Sequence, residues 1–118
     1  MLRAYGQSQL SHAQETKECL LDGSVDTKWL DFGAGGGRGK SWFAVALHSH
    51  VALEFYGLSS ANDEPGRDPC TWSLLGLPAD GEGDAWVQLD RRVDIPFPSR
   101  KATLTYWVRA LWVQALTP

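Results

Sequence analysis

The stretch Asn62-Asp63-Glu64-Pro65-Gly66-Arg67-Asp68-Pro69 holds more hydrogen-bonding side chains than a turn requires. Planar amide, carboxylate and guanidinium groups donate and accept in pairs, which is what recognition of vicinal hydroxyls on a sugar demands. Asn62, Asp63, Arg67 and Asp68 are therefore candidate ligand-binding residues. The same groups could equally pair Arg67 with Asp68, or brace the loop against the rest of the chain as a clip. Trp42 follows a Gly-rich run and opens an apolar segment, so its ring can line a groove at the loop end or join a core.

Other constellations offer less. Asp63 and Asp68 could act as the paired carboxylates of a glycosidase, but their surroundings read as a turn and the chain is short for that chemistry. No Ser-His-Asp order, nucleophile elbow or metal motif occurs, so a non-enzymatic function is expected. The GAGGGRG run (33–39) lacks the Lys-Ser/Thr register of a phosphate loop and no helical pattern follows it; it reads as a mobile loop. His48 and His50 share one face of an extended segment, yet two imidazoles make a weak metal site and they read as solvated. Cys19 and Cys70 fit thiols in a reducing compartment, and with His12, His48 and His50 they build no zinc site.

The 118 residues suffice for one domain and leave no room for a catalytic domain plus an accessory one. Eleven Lys+Arg against 14 Asp+Glu give a net charge of −3, which argues against nucleic acid or an anionic membrane as the partner. A hydrophobic fraction of 43% argues against disorder. The first residues carry no unbroken apolar stretch, and no run approaches the roughly 18 residues of a membrane span, so a cytoplasmic protein is expected.

The elements that must position these groups read as β. Short apolar runs lie between Gly and Pro, with no sustained helical period. Strands are expected over 41–47, 51–58, 72–76 and 86–90, the last two joined as a hairpin through Asp80-Gly81, with further extended pieces over 93–97 and 102–108. Residues 1–17 read as irregular, with one helical turn around 13–19. Of the six tryptophans, Trp29, Trp72 and Trp86 sit in apolar strand patterns and are expected in the core.

Taken in order, LLDGSVDTKWLDF (20–32), GKSWF (39–43), YGLSSANDEPGRDPCTWSLLG (56–76) and DGEGDAWVQLD (80–90) resemble the discoidin, or coagulation factor five/eight type C, superfamily of galactose-binding-like domains. The subgroup with Thr-Lys-Trp-Leu-Asp-Phe and Ser-Ala-Asn-Asp is the nearest, and is associated with small stand-alone domains and with modules of peptide:N-glycanase-like proteins. The resemblance covers about 19–100 and implies an all-β jelly-roll sandwich over the single domain 1–118. It also implies a non-catalytic module that binds a glycan or glycoprotein through loops at one end. A family turn that often wraps calcium corresponds to Asp22, Asp26 and Thr27, although Asp22-Gly23 with Thr27 can also be a plain capped turn. The C-terminus departs from the pattern: where a Tyr-Arg strand and a last strand with a Glu are expected, WVRALWVQALTP (107–118) stands instead. This atypical tail could be a short helix, a makeshift strand, or the mark of missing closing strands, in which case Trp107 and Trp112 would be an exposed association patch. The alternatives are accordingly a protein–protein interaction or scaffold domain, or a truncated fragment of a larger multidomain protein.

Overall fold

The computed structural model describes residues 3–6, 15–30, 41–47, 49–79 and 85–113. Within them the chain is all-β: six strands, β1 (Arg3–Gly6), β2 (Phe43–Ala46), β3 (Val51–Ser59), β4 (Trp72–Gly76), β5 (Val87–Arg92) and β6 (Thr103–Val113), with short 3-10 turns at Lys17–Leu21 and Pro65–Arg67. They pair antiparallel as three two-stranded ladders, β1 with β2, β3 with β6 and β4 with β5.

The central ladder shows why the sequence folds this way. Tyr56, Leu58, Leu104, Tyr106 and Val108 turn to the more buried face, while Phe55, Gly57, Ser59, Thr103, Thr105 and Trp107 alternate to the exposed one. That period of two fits the Tyr56↔Tyr106 and Leu58↔Leu104 register. The register slips between Leu53↔Leu111 and Phe55↔Trp107, an irregularity of the bulge type.

Five side chains tie this ladder to β4–β5. The Tyr56 hydroxyl donates to Asp90 Oδ2 at 2.6 Å and accepts from Trp72 Nε1 at 2.8 Å. Arg92 Nε donates to the same Asp90 oxygen at 3.0 Å, and its guanidinium lies 4.2 Å from the centre of the Tyr106 ring. Trp72 and Tyr106 rings approach to 5.9 Å. Each polar group that this junction covers is thereby satisfied, which makes partial burial of a carboxylate tolerable. Near the other ladder, Trp29 packs edge-on against Phe43, with ring centres 5.7 Å apart.

Several expectations need correction. Part of the N-terminal segment read as irregular forms β1, because Arg3–Gly6 finds a partner in β2. Residues 93–97 are not a strand; they follow β5 as a loop held by the Ile95 amide on the Cys70 carbonyl at 2.8 Å. Trp86 is not a core residue: at 51% exposure it stands just before β5, ahead of the Gly76↔Val87 end of the β4–β5 ladder. Trp29 and Trp72 are half-buried. The tail to Val113 is not a helix but the continuation of β6 along β3, with Trp107 on its outer face at 70% exposure. The 33–39 run, the Asp80-Gly81 turn, His12, His48 and 114–118 lie outside the described residues.

Candidate functional site

The loop leaving β3 is built on a corner made by the residues before β6. Ser60, 3% exposed, exchanges two bonds with Ala102: its amide donates to the Ala102 carbonyl at 2.9 Å and its Oγ accepts from the Ala102 amide at 3.0 Å. Its hydroxyl donates to the Ser99 carbonyl at 2.8 Å, and the Lys101 amide donates to the Ala61 carbonyl at 3.1 Å. Beyond Ala61 the chain turns at Pro65–Arg67, where proline presets φ; the Arg67 and Asp68 amides close the turn on the Glu64 and Pro65 carbonyls.

Glu64 enters this turn with φ 41° and Lys101 forms the corner with φ 55°, both left-handed for residues that carry a Cβ. Such backbone costs about 1 kcal/mol or more per residue and persists only where surrounding bonds hold it. The holding group is Arg100. Its Nη1 donates to Asp68 Oδ1 at 2.8 Å, to the Asp63 carbonyl at 3.0 Å and to the Ala61 carbonyl at 3.5 Å, while Nη2 binds Asp68 Oδ2.

The remaining charges knit a further segment onto the same corner. Lys28 Nζ lies 2.5 Å from Asp63 Oδ1 and 3.2 Å from Glu15 Oε2, and Lys101 Nζ lies 2.7 Å from Asp26 Oδ1. The Lys28 hydrogen bond holds the Asp63 carboxyl below the usual carboxylate range, with the Arg67 and Arg100 charges adding to it. The Asp63 bond in turn raises Lys28. The Lys101–Asp26 pair is open to water and sets geometry more than stability, while the Lys28 side chain is partly shielded at 17% exposure.

The structure thus divides the four expected ligand residues. Asp63 and Asp68 are taken up by Lys28 and Arg100, so Asp68 pairs with a partner other than the adjacent Arg67. Asn62 and Arg67 are exposed, and among the described residues their side chains make no hydrogen bond. Trp42, 52% exposed, precedes β2 and makes no hydrogen bond or ring contact with this loop. Arg100, Lys28, Lys101 and Ser60 were not singled out from the sequence; their partners lie 32 to 75 residues away for three of the bonds concerned, too far for any local pattern to announce.

The turn Asp22–Thr27 sits at this end through the Lys101–Asp26 pair. Asp22 Oδ1 accepts from the Ser24 amide at 2.9 Å and Oδ2 from the Thr27 hydroxyl, and these bonds, the Thr27 one first, lower the Asp22 pKa. The Asp26 amide donates to Ser24 Oγ at 3.1 Å. Calcium needs six to eight oxygens, whereas here both Asp22 oxygens accept internal donors and an ammonium already neutralises Asp26. Among the described residues no three His, Cys, Asp or Glu side chains converge. In this arrangement Asp22, Asp26 and Thr27 make a capped turn and do not fit a calcium cage. Adding calcium or a chelator is therefore expected to move the thermal midpoint by less than about 1 °C; a rise of several degrees in calcium alone would show that Lys101 yields Asp26 to the ion.

The second polar cluster lies at the Tyr56–Asp90 junction. Burial and the Asp90 bond push the Tyr56 hydroxyl up, so it stays protonated as a donor. Burial alone would raise Asp90, but the bonds from Tyr56 and Arg92 outweigh it and leave this carboxyl lowered.

No family model matches the chain. Among curated proteins, it is similar to a peptide-N(4)-(N-acetyl-beta-glucosaminyl)asparagine amidase of Arabidopsis thaliana, with 31% identity over 96 residues. The match takes in 80% of this chain and 13% of that protein, so the chain spans only a small part of the length of its relative.

Proposed function

We propose that this chain is a non-catalytic recognition module of the discoidin-like type, binding a glycan or glycoprotein through the Asn62–Asp68 loop at one end of a jelly-roll sandwich. The observation that carries this reading is the loop itself: strained, cross-braced, and exposing an amide and a guanidinium that make no side-chain hydrogen bond among the described residues. Such preorganisation lowers the ordering cost of binding. The similarity to an amidase named for the N-acetylglucosaminyl-asparagine linkage supports a glycan-bearing partner. Cleavage is not assigned to this chain: Asp63 and Asp68, the paired carboxylates of the loop, are held by Lys28 and Arg100.

Titration with an N-linked glycopeptide and with the same peptide after deglycosylation tests the proposal by calorimetry. The glycosylated form should bind with better than millimolar affinity and the bare peptide should not. Arg67→Ala should weaken that binding roughly tenfold, the effect of about 1.5 kcal/mol from one charge-assisted hydrogen bond, with an unchanged thermal midpoint. Equal affinity for both peptides, or none for either, would sink it. A second reading, protein interaction or scaffolding, draws on the exposed Phe55–Trp107 pair, whose ring centres lie 5.0 Å apart on the outer face of β3–β6. Binding of the bare peptide, or of neither peptide with partner binding lost on Trp107→Ala, would favour it.

A further inference from the structure

We infer that Arg100 is the positioning residue of this loop: one guanidinium sets where Asn62 and Arg67 point, and recognition depends on it without contact to ligand. The inference rests on the recognition reading above. Its basis is the span of the contacts. The fork binds the Asp68 carboxylate at the end of the loop and the Ala61 and Asp63 carbonyls at its start. Asn62 and Arg67 lie between these anchors. Arg100 is itself placed by its neighbours, because Ser60 bonds Ser99 and Ala102, and Ala61 bonds Lys101, on either side of it. The Arg100 side chain is 26% exposed and that of Asp68 12%, so the pair is partly shielded from water.

Lysine cannot substitute. An ammonium is a point donor on a flexible stem and cannot grip both oxygens of Asp68 in a planar fork while also serving two carbonyls. In Arg100→Lys the left-handed Glu64 loses its restraint and the loop opens, although the charge is kept.

Amide exchange followed by NMR reads this without any ligand. In R100K the Arg67 and Asp68 amides, which close the Pro65 turn, should exchange roughly tenfold faster, while Tyr56 and Tyr106 in the central ladder keep their protection. Asp68→Asn should reproduce the effect, and the double variant should be no worse than either single one. Affinity for the N-linked glycopeptide should fall roughly tenfold in R100K, with the thermal midpoint lowered by no more than in D68N. Unchanged exchange at Arg67 and Asp68 overturns the inference, as does an open loop with undiminished affinity. A parent protein that binds no glycopeptide removes the recognition reading, and with it the role of Arg100 in recognition, while the exchange data still decide whether Arg100 holds the loop.

Discussion

Ser60→Ala is expected to destabilise the chain by about 2 kcal/mol, read as a drop in the urea midpoint with an unchanged slope. Ser60 is the most buried polar side chain among the described residues, and its hydroxyl accepts from the Ala102 amide while donating to the Ser99 carbonyl. Alanine removes one small group and leaves a donor and an acceptor without a partner in a place water does not easily reach. An unsatisfied buried group costs about 1–3 kcal/mol, more than the net worth of the bond it made. The neighbouring Ser59 gives the control. Its hydroxyl meets that of Thr103 at 2.6 Å on the exposed face, where water can replace either, so Ser59→Ala should stay within about 0.5 kcal/mol. Equal losses in the two variants would mean that Ser60 is not a corner post and that the loop is held by charge alone.

That contrast also shows what could be read from the residues in order. Strands β3 and β4 and the pairing of β4 with β5 were legible, because alternation over five to nine residues is a local signal and each pattern sits between turn formers. Strand β1 was not: four residues have no period of their own, and Arg3–Gly6 extends only because β2, some forty residues later, offers a ladder. The loop reads as polar beyond need, and its residue types fit a clip and a ligand surface equally. In the structure Asp63 and Asp68 are paired with Lys28 and Arg100, while Asn62 and Arg67 are exposed. The identity of the clip could not be foreseen, since Arg100 reaches back 32 residues to Asp68 and a lone arginine after Pro98-Ser99 carries no mark of its partner. Trp86 misled for the opposite reason. An apolar pattern records which residues can be buried, and the strand it belongs to starts one residue later.

Asp90→Ala should cost about 2 kcal/mol, and its pH dependence should identify the cause. Removing one member of a well-buried ion pair costs about 3–5 kcal/mol, because the other charge is left uncompensated. Here the Arg92 side chain keeps 33% of its exposure and Asp90 14%, so water recovers part of that loss. The loss is still larger than for a surface pair, since the Tyr56 hydroxyl, which accepts from Trp72, also loses its own acceptor. The Asp90 carboxyl is lowered in the folded chain, so the unfolded chain binds its proton more readily. Stability from Asp90 is therefore complete above the ordinary aspartate pKa and disappears as pH falls through the depressed folded value. Tyr56 works the other way: its hydroxyl is raised by burial and by Asp90, so its share is complete below the ordinary tyrosine pKa and disappears as pH rises through the raised value. Urea midpoints for the parent, Asp90→Asn and Tyr56→Phe should separate the two limbs. Asp90→Asn should be less stable at neutral pH and lose less on acidification, because it has no carboxyl left to protonate there. Tyr56→Phe should lose less on the alkaline side. If Asp90→Asn follows the parent in parallel down to acid pH, the carboxylate is not what joins the two ladders, and the Trp72–Tyr106 and Arg92–Tyr106 ring contacts carry the junction instead.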